Sequence, residues 1–545
     1  MATSVIQAPP TLAGLESRVF PLDFTPTIPQ LLARAVERFG SRVLIASLDE
    51  HATFADVDAR SRDLAKRLLA DGVGKGTRVG LMFPQGSDWV VAFLAVARIG
   101  AFAMPFSTFY KPAELARGLR MSDTEVLLMP STMFGKDMVA FVADALPALA
   151  GLRTTPIFVP DAPFLRSVMF LGSTPDRPWA TEYVRTADSP VSDELLAAVE
   201  AEVTPADLLV TLFTSGTTAA PKGVVHTHGA LVRHSANLVS LTHLSPDDNV
   251  FAGMPFFWVG GMTTTLLPAM HVGGKVLTQG RFDSGEALVI LEKHAATRLI
   301  AWPTLRQRLQ ADPDYAKYDL SRIGAFPSVD GRRHASLGMT ETSGPHTLAD
   351  AADNRTELPE HLNGSFGPPV PFVEHRIADP VTNETLEPGQ VGEICVRGYS
   401  VMQGMYKKER EEVFDADGWY HTGDRGYFTE GFLIFEGRSS EMIKSAGSNV
   451  SPREVESELE SLAGIESAWV FGFPHPDRGE TVVAGLLTTG DVDTDEITKV
   501  MSERLSSFKV PREIVLLDKD EIPLLATGKA NRLAVRDVIA KKTGR

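Results

Sequence analysis

Residues 208–229 read LLVTLFTSGTTAAPKGVVHTHG. The stretch opens on a continuous apolar run, 208–213, of the kind that forms a strand buried on both faces. It then changes to Thr214, Ser215, Gly216, Thr217 and Thr218, followed by Pro221-Lys222-Gly223. Such a loop offers hydroxyls, closely spaced backbone N–H groups and one cation, and together these can hold a polyphosphate. The Gly-Lys-Ser/Thr ending of a Walker loop is missing. By composition alone, a polar surface loop fits equally well.

Outward from this strand, residues 20–200 alternate apolar strand-like runs with amphipathic helical runs, for instance a strand at 78–82 and a helix at 88–99. Residues 205–350 continue the alternation, with strands expected at 275–278 and 298–301. That pattern predicts parallel βαβ units and an α/β fold. From about 365 short strands and turns take over, at 374–377, 392–396 and 431–435, and predict a small antiparallel β unit. After Gly437-Arg438 the character changes again. A helix is expected at 452–462, entered through Ser451 with Pro452 at its first position and Glu454 completing a capping box. Strands at 468–473, 482–488 and 513–517 and a helix at 495–506 follow. The expected organisation is a large N-terminal domain, 1–437, of α/β subdomains with the β unit at about 365–437. A small α+β domain, 438–545, comes after it.

A chain of 545 residues exceeds what one core supports, which agrees with more than one domain. The net charge of -16 argues against nucleic acid as a partner, since phosphate backbones need a basic surface. The single cysteine, Cys395, excludes an internal disulfide framework, makes a cysteine-based zinc site unexpected, and reads as a buried structural thiol in the strand 393–396. The first twenty residues lack a basic region and a long apolar core, so no signal peptide is expected. The most apolar helical stretch, 89–103, is interrupted by Arg98 and Gly100 and falls short of the roughly 20 residues of a membrane span. A cytoplasmic protein without a transmembrane segment is expected.

The loop 214–223 resembles the ATP phosphate loop of the adenylate-forming superfamily, which includes acyl-CoA synthetases, peptide-synthetase adenylation domains and firefly-type luciferases; Ala219 stands where that family usually has glycine. Further motifs carry the resemblance from about residue 26 to 533. Gly338-Met339-Thr340-Glu341-Thr342 resembles the second nucleotide motif, which implies Thr340 at the α-phosphate and Glu341 as the Mg2+ ligand. By itself it would also suit a helix N-terminus with a capping threonine. Trp419-Tyr420-His421-Thr422-Gly423-Asp424 resembles the ribose motif, with Asp424 on the ribose hydroxyls and Arg438 on the ribose and phosphate side. The 392–398 and 404–406 segments match as scaffold. Pro523-Leu524-Leu525-Ala526-Thr527-Gly528-Lys529 resembles the C-terminal lysine motif, which implies Lys529 as the catalytic lysine of adenylation. The 441–452 segment resembles the start of the small domain, with Gly447 at the coenzyme A tunnel. In the family that domain rotates after adenylation about a hinge that is normally Asp or Lys; here it is Ser440.

The segment Met254-Pro255-Phe256-Phe257-Trp258-Val259-Gly260-Gly261 resembles the lining of the acyl site, with Phe257, Trp258 and Gly260 as pocket residues. Trp258 replaces a frequent histidine by an apolar plate, which implies a hydrophobic acid, fatty or ring-bearing. Phe256 and Phe257 also suit a plain core. Between Asp319 and Gly338 the chain is shorter than the family pattern, and Leu337 stands where an aromatic residue often stacks on adenine, so an atypical adenine pocket is expected. The resemblance implies an acyl-CoA synthetase that uses ATP, Mg2+ and coenzyme A with a small-molecule carboxylic acid. Delivery of the acyl-adenylate to a carrier protein and a non-catalytic acyl or nucleotide binder are the alternatives.

Overall fold

The computed structural model describes residues 22–153, 155–173, 177–183, 189–214, 222–301, 303–323, 336–349, 359–362, 364–438, 443–445, 448–450, 452–475, 479–505, 507, 509–525 and 529–545. The described residues cluster into two compact units. One holds residues up to Glu374 together with Val396–Tyr420; the other holds His375–Cys395 and His421–Arg545.

In the first unit the longest sheet has eight strands. Across the sheet they run 404–405, 222–227, 208–214, 102–105, 78–81, 126–130, 167–171 and 180–183. The pairings from Leu208–Thr214 to Ala180–Tyr183 are parallel. The pairings on the other side of Leu208–Thr214 are antiparallel. A hairpin therefore interrupts the expected βαβ alternation after the 208–214 strand, and the alternation resumes with the strands 249–252, 275–277 and 298–300. A second sheet of five strands carries the parallel set 298–300, 249–252, 275–277 and 43–46, with 51–53 added antiparallel at its edge.

The helices follow their sequence signals. Thr53 and Asp56 close a capping box at the start of Phe54–Ala70. The Ser87–Arg98 helix is buried on all sides except at Asp88. A helix apolar all round belongs inside a large core, and Trp89 stacks on Phe93 there at 5.2 Å. Arg98 ends that helix only 4% exposed, and its charge is met by Asp58 at 2.7 Å and Glu200 at 2.5 Å. Removing both acids would strand a buried cation. Among the described residues no helix is long and apolar enough to cross a membrane.

The second unit contains strands of a four-stranded sheet ordered 373–378, 392–398, 420–429 and 432–438. It also contains an α+β body in which 465–475 and 479–488 pair antiparallel and 513–517 adds parallel to 479–488. Helices Pro452–Glu460, Thr494–Arg504 and Arg532–Lys542 complete it. Arg532 ties the last helix down: its guanidinium donates to Glu456 at 2.6 Å and to the Val470 carbonyl at 2.8 Å.

Candidate active site

The hairpin that interrupts the parallel sheet places the phosphate-loop residues. Thr214 and Lys222 are register partners at the end of it where the chain enters and leaves the connecting loop. Ser215, Gly216, Thr217 and Thr218 lie outside the described residues. Residues 222, 224 and 226 share one face of the returning strand. On the opposite face Gly223 permits a close approach: a Cβ there would come within 2.9 Å of both Thr211 and Tyr406.

The 222–226 face meets the Gly338–Thr342 motif. Val224 packs with Met339, Met402, Phe414 and Tyr420. His226 Nε2 donates to the Thr340 carbonyl at 2.7 Å, and its Nδ1 lies 3.1 Å from Ser343 Oγ. Burial pulls the His226 pKa down to about 4 against the pull of the Thr340 carbonyl, so the ring is neutral near pH 7. The Ser343 hydroxyl then has one proton for two acceptors, His226 Nδ1 and the Ser400 carbonyl at 2.7 Å.

The motif itself is a hairpin tip. Leu337–Met339 pairs antiparallel with Gly344–Thr347, and Thr340–Thr342 makes one 3-10 turn between them. A capped α-helix start is not what forms here. Glycine is required at 338, because a Cβ would lie 2.6 Å from Pro345 N. Two successive amides clamp the arrangement: Met402 N donates to the Glu341 carbonyl and Gln403 N to the Val225 carbonyl, each at 2.8 Å. The backbone is thereby fixed while the chemistry is left open. Among the described residues, the Lys222 amine, the Thr340 hydroxyl and the half-buried Glu341 carboxylate have no hydrogen-bond or ion-pair partner. A half-buried carboxylate with no protein donor suits a hard cation, which is coordinated by oxygen.

The acyl-site candidates stand beside this hairpin. Phe256 is fully buried against Trp89 at 5.4 Å, a core role. Phe257 is 7% exposed and meets Trp258 edge-on at 5.6 Å and Phe109 at 6.1 Å. Trp258 is only partly buried and leads into Val259–Gly261 and the π-helical turn Met262–Leu266. Thr263, which donates to the Val259 carbonyl at 2.7 Å, approaches Gly344 so closely that a Cβ there would lie 3.0 Å from its hydroxyl. The aromatic segment and the Thr340 hairpin thus share a wall.

The remaining candidates belong to the second unit. Asp424 is 3% exposed and is the register partner of Arg438 on the neighbouring strand. Its strand is pinned by Thr422 Oγ donating to the Ile394 carbonyl at 2.7 Å and Gly423 N donating to Glu393 at 3.0 Å. Nearby, Cys395 and then Glu393 push the His421 pKa up to about 10. Lys529 closes a hairpin: its carbonyl accepts from Leu525 N at 2.8 Å, Leu524 bridges to Ala530, and Asn531 caps the last helix. Much of the residue's surface is open, yet desolvation around the amine lowers its pKa. Ser440 and Gly447 lie outside the described residues. Sequence reasoning missed His226 as the link between the 222–226 strand and the Gly338–Thr342 turn. The available signal was a histidine at an alternate position of an otherwise apolar strand.

Residues 32–406 match the AMP-binding enzyme family, and residues 454–529 match the AMP-binding enzyme C-terminal domain. A Humulus lupulus protein named Probable CoA ligase CCL9 is 32% identical, over 94% of this chain and 96% of its own. The 4-coumarate--CoA ligase 5 of Oryza sativa subsp. japonica is 30% identical, over 95% of each chain. Among solved structures, the anthranilate CoA ligase AuaEII with anthranoyl-AMP aligns with a TM-score of 0.77 at 21% identity, over 96% of this chain and 99% of that one, a likeness of fold. The match across most of the chain, with the clamped hairpin pair at its centre, means that this chain belongs to the AMP-binding enzyme family.

Proposed function

We propose that this chain activates a hydrophobic carboxylic acid, fatty or ring-bearing, with ATP and passes the acyl group to coenzyme A. The observation that carries this is the clamped pair of hairpins, which fixes the backbones of Lys222, Thr340 and Glu341 and leaves their side chains uncommitted beside the Phe257–Trp258 wall. The acid's carboxylate attacks the α-phosphate; pyrophosphate leaves; the thiolate of coenzyme A then attacks the acyl carbonyl and AMP leaves. Lys222 and the hydroxyls of Thr214, Ser215, Thr217 and Thr218, with the Gly216 and Gly338 backbones, bind the phosphates. Thr340 orients the α-phosphate. Glu341 would hold Mg2+, which when bound neutralises phosphate charge. Asp424 accepts from the ribose hydroxyls and Arg438 supports the same end. Lys529 meets the charge that develops as pyrophosphate departs. Ser440 serves as the hinge and Gly447 leaves room for the pantetheine arm. Trp258 and Phe257 favour apolar acyl groups, with Gly260 giving space.

Pyrophosphate release measured with Mg-ATP over a panel of fatty and ring-bearing acids, with and without coenzyme A, tests this reading. Release confined to one acid class, with acyl-CoA as product, is the expected result. Acyl-adenylate that accumulates in the presence of coenzyme A would point to a carrier protein as acceptor. No release with any acid and no ATP binding would leave only the reading of a non-catalytic acyl binder.

A second expectation concerns His226. Replacing it by Phe leaves the Thr340 carbonyl without its buried donor, a loss of about 1–3 kcal/mol. The urea midpoint is expected to fall, and kcat/KM for ATP to drop about tenfold, roughly 1.4 kcal/mol. Unchanged kinetics at reduced stability would mean that the turn holds Thr340 and Glu341 without help.

A further inference from the structure

The four-stranded sheet carries a second group of side chains that the proposed reaction does not use. Glu393 and Cys395 are two residues apart on Gly392–Gly398 and so share a face. His421 comes from the neighbouring strand Tyr420–Thr429. Cys395 Sγ lies 3.5 Å from His421 Nδ1, and that nitrogen lies 2.9 Å from Glu393 Oε2. The three donor atoms all fall within 4.8 Å of one another.

A thiol, an imidazole nitrogen and a carboxylate oxygen converging on one point form the donor set of zinc-type ions. With bonds of about 2.3 Å to sulfur and about 2.0–2.1 Å to nitrogen, a tetrahedral centre sets the sulfur–nitrogen edge near 3.5 Å. The observed separation is 3.5 Å. The nitrogen–oxygen edge needs about 3.3 Å, so the carboxylate, now at 2.9 Å, must draw back slightly. Its other oxygen already accepts from Gly423 N at 3.0 Å, an outer contact of the kind that orients metal ligands. Cys395 is fully buried, while the His421 and Glu393 side chains keep 32% and 17% of their surface. The solvent-facing side of the trio is thus its ring and carboxylate, with the sulfur covered.

We propose that Glu393, Cys395 and His421 form a three-ligand site for a borderline-soft divalent cation of the zinc class, with water as fourth ligand. On loading, the thiol proton and the Nδ1 proton pass to solvent and the ion takes their place; nothing is oxidised or reduced. Mg2+ is discriminated against because it prefers all-oxygen octahedral shells. The site is thus separate in chemistry from Glu341. The competing account is a purely structural network, in which the Cys395 thiol donates to the Glu393 carbonyl at 3.9 Å and the histidine N–H to the carboxylate.

Cys395 is the one cysteine of the chain, so a thiolate-to-cobalt charge-transfer band can report this site alone. Co2+ is titrated into the chelator-treated full chain at pH 7.5 in excess Mg2+. The expected result is a near-ultraviolet band that saturates at one equivalent, is bleached by Zn2+ and is lost in Cys395→Ser. In His421→Gln and Glu393→Gln, which keep the thiol, cobalt affinity is expected to weaken at least about tenfold. No band in the wild-type chain, or equal affinity in those two variants, would overturn the site in favour of the structural network.

Discussion

Lys529→Ala is expected to slow acid-dependent pyrophosphate release about 10²–10³-fold, the loss of one preorganised group that meets developing charge. Thioester formation from pre-formed acyl-adenylate is expected to fall less than about tenfold, because the domain alternation implied by the family resemblance removes this lysine from the site before the second step. The substitution keeps the two backbone features of this region, the Lys529 carbonyl that accepts from Leu525 N and the Asn531 cap of the following helix. Its denaturation midpoint should shift by less than about 1 kcal/mol equivalent. Desolvation holds the amine's pKa below the usual lysine value, and in the proposed role it would also strengthen the pull on an oxyanion. Single-turnover assays of each half-reaction decide the matter. Equal losses in both steps would remove Lys529 from its assigned role, and no loss would remove it from the mechanism.

The second large effect is on stability at mild acidity. Four fully or almost fully buried histidines have folded pKa values far below 6.5: His226 and His271 at about 4, His228 and His234 at about 3, desolvation leading in each. The unfolded chain therefore binds more protons than the folded one, and stability rises with pH. The loss on acidification starts near 6.5, where the unfolded histidines charge, and levels off only below about 3–4. At pH 5 each such histidine costs on the order of 2 kcal/mol, so the four together are comparable with the roughly 5–15 kcal/mol of a typical domain. The depressed carboxylates, such as Asp58 beside Arg98, act at lower pH, and the raised pKa of His421 acts above 6.5. Urea midpoints at pH 7, 6 and 5 should fall steeply across the series. His228→Asn keeps an acceptor for Ile28 N, now bonded to Nδ1 at 3.2 Å, and should flatten the slope by one proton. A midpoint unchanged from pH 7 to 5 would contradict the burial of neutral rings.

Strand positions were largely legible because apolar periodicity is local. The 208–213 and 513–517 expectations meet observed strands at Leu208–Thr214 and Glu513–Leu517. The hairpin return Lys222–Thr227 was not legible, since pairing direction depends on the turn rather than on composition. The change of character at Arg438 was visible, but the packing that puts 375–395 and 421–437 with the C-terminal residues is cross-strand, as in the Asp424–Arg438 pairing. The motif residues were recognisable by resemblance. His226 was not, because its role comes from a carbonyl 114 positions away. Cys395 read as a buried thiol and is one; its neighbours His421 and Glu393 meet it only through the fold.

The dipeptide Met402-Gln403 holds Glu341 with one amide and Val225 with the next. The two amides belong to adjoining peptide units joined at the Met402 Cα, so one residue's reach limits how far the two held carbonyls can part while both hydrogen bonds last. The two hairpins therefore separate only by breaking one of these bonds or by turning about Met402. Loss of either bond would free one hairpin from this tie to the other, which makes a single dipeptide a control point for their spacing.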